Sequence, residues 1–102
     1  MNAAELPVIG FKLDKNAIDG FNKYCIPDYM REALIRYFEN RIEPGGFLIA
    51  ILTNDLHEAA GHADETNRRL LWEYCGWLYN FAPAYAYGNS QRVIEWLDGG
   101  QS

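Results

Sequence analysis

The chain predicts an all-α fold: a small four-helix domain preceded by an irregular N-terminal arm. Three features carry that expectation. Between Pro27 and Ile42 apolar residues recur every four positions, and Phe47 to Leu52 is apolar on every side. Gly61, Asp64, Pro83 and Ser90 stand where helices stop and start. The alternating run Ile9, Phe11 and Leu13 about Gly10 and Lys12 has no second such run to pair with, so residues 1–26 are expected to form an arm packed on helices. Within it Asp14 can cap a brief turn through Lys15-Asn16-Ala17-Ile18, stopped at Gly20.

The first long helix is expected over residues 27–42. Pro27 suits a first turn because its missing N–H would be unpaired there anyway. Met30, Leu34, Phe38 and Ile42 form the apolar stripe, with Tyr37 and Arg41 beside it, while Glu32 and Arg36 on the other side are spaced for a weak ion pair. Glu43-Pro44-Gly45-Gly46 ends it, since a residue before proline leaves helical geometry. A second helix is expected over 45–60, with Leu56, Ala59 and Ala60 continuing its inner face and Gly61 as the stop.

The third is expected over 65–82, capped by Asp64 and closed by Pro83. Leu70, Tyr74, Trp77, Leu78 and Phe81 make one stripe on it; Trp72, Cys75 and Tyr79 make another. A helix apolar on two sides touches two things, either two layers of its own fold or a second molecule. A fourth, 90–98, is capped by Ser90, buries Val93, Ile94 and Leu97, and stops at Gly99-Gly100.

At 102 residues the chain has room for one domain, with its helical core over 27–98. It is 49% hydrophobic and 23% charged, which is globular rather than disordered. A net charge of −5 opposes non-specific binding to nucleic acid or to an anionic membrane surface. No apolar run approaches the ~20 residues of a membrane span. The start Met1-Asn2-Ala3-Ala4-Glu5 lacks the features of an export signal, so a cytoplasmic protein is expected, with Cys25 and Cys75 as reduced, buried thiols. Three Trp, 7 Tyr and 5 Phe are many for so small a domain, and those left at the surface favour an interface.

Candidate sites follow from residue type and spacing. His57 and His62 lie five apart, so on a helix their rings diverge by ~140° and the two-His zinc motif is absent. With Glu58 and Asp64 they remain a weak metal candidate against the alternative of a solvated helix end. Gly45, Gly46 and Phe47 open a buried helix with unencumbered backbone N–H groups, which suits a phosphate or carboxylate if Arg36 or Arg41 approaches. The competing reading is a tight corner needing glycine. Tyr85 and Tyr87, near Trp72 and Trp96, offer either an aromatic platform or a rim over the core.

From Tyr37 onward the sequence resembles a group of short proteins encoded by tailed bacteriophages and prophages. Arg36-Tyr37, Pro44-Gly45-Gly46-Phe47-Leu48, Asn54-Asp55-Leu56, Ala63-Asp64 with Asn67, Tyr79-Asn80, Pro83 and Trp96-Leu97 carry the likeness over about two-thirds of the chain. The resemblance implies a setting, the cytoplasm of a bacterial host, and a class of action, binding a host component.

The functional expectation is therefore a non-enzymatic accessory protein, a homo-oligomer without a cofactor. In the leading form it is a counter-defence factor that sequesters a nucleotide-like anion with Arg36, Arg41, Gly45, Gly46, Phe47, Tyr85 and Tyr87. In the alternative it inhibits a host defence protein through an acidic, aromatic surface. Trp72, Cys75, Tyr79 and Trp96 are the interface candidates in both. A metal-dependent hydrolase at His57, Glu58, His62 and Asp64 is the enzymatic alternative.

Overall fold

The computed structural model describes residues 11–99, and the expected roles of Ile9, Gly10 and Gly100 lie outside them. Among the described residues the fold is all-α, with seven helices rather than four: α1 (Lys15–Lys23), α2 (Asp28–Asn40), α3 (Gly46–Leu52), α4 (Leu56–His62), α5 (Glu65–Arg69), α6 (Leu71–Phe81) and α7 (Ser90–Asp98), with a 3-10 turn at Ala84–Ala86.

The arm is the first correction. Asp14 does cap a helix, its carboxylate accepting the Ala17 N–H at 2.8 Å, but α1 runs through Gly20 to Lys23. Gly20 is there for proximity: a Cβ on it would sit 2.4 Å from the Phe81 ring. The next residue, Phe21, stacks on Trp77 at 4.7 Å, and the Trp77 indole donates to the Ala17 carbonyl at 2.9 Å. Gly76 of α6 returns the same arrangement, with a Cβ there 2.6 Å from the Tyr24 ring. Each helix thus offers a glycine to the other's aromatic, which lets their backbones approach closely.

In α2 the stripe buries Leu34 and Phe38, with Tyr37 buried beside them, but Ile42 is exposed because the helix ends at Asn40, four residues before Pro44. Arg41 ends it in the left-handed region, φ 57°, a conformation costing a non-glycine residue roughly 1–2 kcal/mol. The side chain supplies the offset. Its guanidinium lies 3.8 Å over the Trp96 ring and donates to the Trp96 carbonyl at 2.7 Å.

The expected helix 45–60 is two helices, α3 and α4, folded back on each other. Asn54 takes φ 64°, tolerated best by asparagine and glycine, and Asp55 then caps α4 by accepting the Glu58 N–H at 3.0 Å. The hairpin brings His62, at the end of α4, over Gly46 at the start of α3. The expected helix 65–82 also divides, at Leu70, where the last turn of α5 tightens into a Leu70 N–H to Asn67 carbonyl bond. Asn89 rather than Ser90 caps α7, accepting the Arg92 N–H at 2.8 Å. Ile94, expected inside, is exposed.

The core collects Phe21 from α1, Leu34, Tyr37 and Phe38 from α2, Leu48 and Leu52 from α3, Tyr74 and Trp77 from α6, and Trp96 from α7. Its polar groups are matched: Tyr37 donates to the Ala86 carbonyl at 2.6 Å and Trp96 to the Tyr37 carbonyl at 2.9 Å. Asn67 is buried, and its side-chain oxygen accepts the Tyr74 hydroxyl at 2.6 Å, joining α5 to α6 across the kink. Asn67→Ala strands that hydroxyl and is expected to cost about 1–3 kcal/mol in a denaturant melt, with a smaller loss in the Asn67→Ala/Tyr74→Phe pair.

Candidate functional site

Helix α6 turns one side inward and one outward. Tyr74, Trp77 and Leu78 are buried, whereas Trp72 is 75% exposed and Tyr79 83% exposed, with Cys75 exposed between them. Leu56, 56% exposed, adds to this face from α4. Burying a large apolar side chain contributes roughly 1.5–3 kcal/mol, so a face holding several of them open forgoes stability within the single chain. Contiguous exposed apolar surface of this kind marks contact sites.

Between α6 and the α3–α4 hairpin the face dips into a shallow hollow of about 30 Å³, open to solvent. Ile51, Leu56, Ala59 and Leu71 line it, Asn54 and Asp55 stand at its polar edge, and Trp72 and Cys75 form the lip. Its volume is room for a few waters and far below the ~300 Å³ lower end of small-molecule pockets, so the feature is a dent in an exposed face. The thiol of Cys75 is pushed up by burial of part of its surface, which keeps it protonated and a poor nucleophile. Both cysteines are free and exposed, correcting the expectation of buried thiols. Tyr87 lies close by, its phenol pushed up by burial first, with Tyr79 and Cys75 among its neighbours.

The residues expected to hold an anion are not gathered into one pocket. Gly46 starts α3, but the His62 ring packs over it, and α3 has only seven residues of aligned peptides. Phe47 is buried, edge-on to Tyr74 at 5.2 Å. Arg36 pairs with Glu32 at 3.2 Å, and Arg41 is seated on Trp96. Tyr85 joins that cluster, 5.8 Å from Trp96 and close enough to Arg41 for the two to interact electrostatically. The loop bearing Tyr87 is tied to the far end of α3 through Gly88 N–H and the Leu52 carbonyl at 2.7 Å. Gly45 has open space around it, with no side chain at Cβ distance.

Trp96, expected at an interface, is in the core, because its indole is needed there by Tyr37 and Arg41. The metal candidates also have other duties. His62 pairs with Glu58 at 3.3 Å, and Asp64 accepts the Asn67 N–H and the Tyr29 hydroxyl, each at 2.7 Å. Those bonds, the backbone one first, hold the Asp64 carboxyl below its ordinary range. Among the described residues no group of three or more His, Cys, Asp or Glu comes together as a metal site.

Leu56 is the face residue that periodicity misplaces. Counted as one helix with α3 it falls inside; the break at Asn54-Asp55 rotates it outward. The Thr53-Asn54-Asp55 run, a left-handed stop followed by a cap, is the signal for that break. No family model, curated protein or solved structure matches the chain.

Proposed function

We propose that this is a non-catalytic, phage-encoded accessory protein of the bacterial host cytoplasm that acts through protein–protein contact, made by the Trp72–Cys75–Tyr79 face. The observation that carries this reading is the exposure of Trp72 and Tyr79 on the same side of one helix, with Leu56 of α4 exposed as well. Aromatic residues of this kind dominate the energetics of protein interfaces. A nucleotide-like ligand finds less support, since its expected residues are dispersed and its arginines engaged.

The test is differential capture. The wild-type chain and a Trp72→Ala/Tyr79→Ala variant are immobilised at equal loading and exposed to host extract, and each retained protein is purified and titrated back. A protein kept by the first bait, lost from the second and rebound at micromolar or tighter affinity is expected. Equal retention on both overturns the proposal.

A further inference from the structure

We propose that α4 is a lid: it lifts off α3 as one unit while the rest of the chain stays folded, and it uncovers Ala50 and Ile51 beside Trp72. This goes beyond the contact reading and stands without it.

The hold on α4 is slight. Helices α1, α2, α3, α6 and α7 each bury at least one aromatic ring, and α5 buries Asn67, which accepts the Tyr74 hydroxyl. In contrast, α4 buries Ala59 alone, a single methyl group. Its one large apolar residue, Leu56, is exposed. Its polar contacts stay within the helix and its cap: Asp55 accepts the Glu58 N–H, and Glu58 pairs with His62. Among the described residues no hydrogen bond or ion pair joins Leu56–His62 to another helix. Segments with few buried apolar groups and exposed backbone bonds open well below the free energy of global unfolding.

The chain on either side is pinned. The Asp55 N–H is held on the Ala50 carbonyl at 2.8 Å, and at the far end Ala63 is buried and Asp64 accepts the Tyr29 hydroxyl at 2.7 Å. Asp55, at ψ 85°, and Ala63, at ψ 138°, are off helical geometry, so each can serve as a hinge where a few torsions absorb the motion. Beneath the lid the surface is apolar. Ala50 and Ile51, both buried, share the hollow with Ala59 of α4 and with Trp72 and Cys75 of α6. Raising α4 takes the Ala59 wall away and joins Ala50 and Ile51 to the Trp72 side. A helix of seven residues does not hold its hydrogen bonds alone in water, so lifting α4 also frees its amides to exchange.

The experiment is native-state hydrogen exchange of the full chain, read by NMR in water and in sub-denaturing urea. The Ala59 and Ala63 amides are bonded to the Asp55 and Ala59 carbonyls in the closed lid. They are expected to exchange at least ~30-fold faster than the Leu34 and Phe38 amides of α2, with a shallower urea dependence. Phe21→Leu, outside the lid, is expected to quicken the α2 amides ~10-fold and to leave Ala59 and Ala63 unchanged. Gly61→Ala replaces a poor helix former in open space and is expected to slow Ala59 and Ala63 by one common factor of ~3–5. In a chain carrying Cys25→Ser and Cys75→Ser, Ala50→Cys is expected to react with a maleimide at the rate of the same opening. A single opening free energy for all four amides overturns the lid, as does a maleimide rate that follows global unfolding. Unequal responses of Ala59 and Ala63 to Gly61→Ala mean fraying residue by residue, which overturns it too. Differential capture reads none of these quantities, so the lid and the contact reading fail separately.

Discussion

Trp77→Ala is expected to remove about 3–5 kcal/mol of folding stability, the range for emptying a large aromatic site in a packed core. Trp77 is fully buried and stands where α1, α2 and α6 meet. It stacks on Phe21 of α1, packs against Phe38 of α2 and Phe81 of its own helix, and gives its only donor to the Ala17 carbonyl. Truncation removes all of these contacts and leaves that carbonyl without its indole partner. Since domains of this size have only about 5–15 kcal/mol in total, the variant should melt some 15 °C or more below wild type by circular dichroism. Trp77→Phe keeps most of the ring and should recover much of the loss.

Gly20→Val is expected to cost about 2–3 kcal/mol by overpacking rather than by emptying. Its first side-chain carbon would lie 2.4 Å from the Phe81 ring, which has Trp77 on one side and Tyr24 on another. Valine adds two further methyls at that point. Phe81→Leu in the same chain opens the space, so the double variant should melt above Gly20→Val alone. Equal melts for the two would mean that α1 meets α6 elsewhere.

Much of this architecture was legible in the residues. The all-α class, the inward Leu34 and Phe38 of the α2 stripe, the cap at Asp64 and the two-sided character of residues 72–81 follow from periodicity and end signals. What escaped periodicity was every decision made by tertiary contact. Gly20 reads as a stop, yet Phe81 makes it a point of close approach. Arg41 reads as helical, yet Trp96 holds it left-handed. Trp96 reads as one more surface aromatic, yet it satisfies the Tyr37 carbonyl from inside. Leu56 shows the cost of missing a single break, because three residues of turn redirect all of α4. The residues expected to hold an anion are spread out for a related reason: Gly45 lies at the start of α3, while the 83–89 loop ties the neighbourhood of Tyr87 to Leu52 at its far end.

The three indoles divide into two sheltered ones, Trp77 and Trp96, and an open one, Trp72. Their light emission divides the same way. Iodide in solution can collide with the excited state of Trp72 and not with the other two, so the quenchable, long-wavelength part of the fluorescence belongs to one ring. Whatever covers that ring will announce itself as lost quenching and a shift to the blue, with no label attached to the chain.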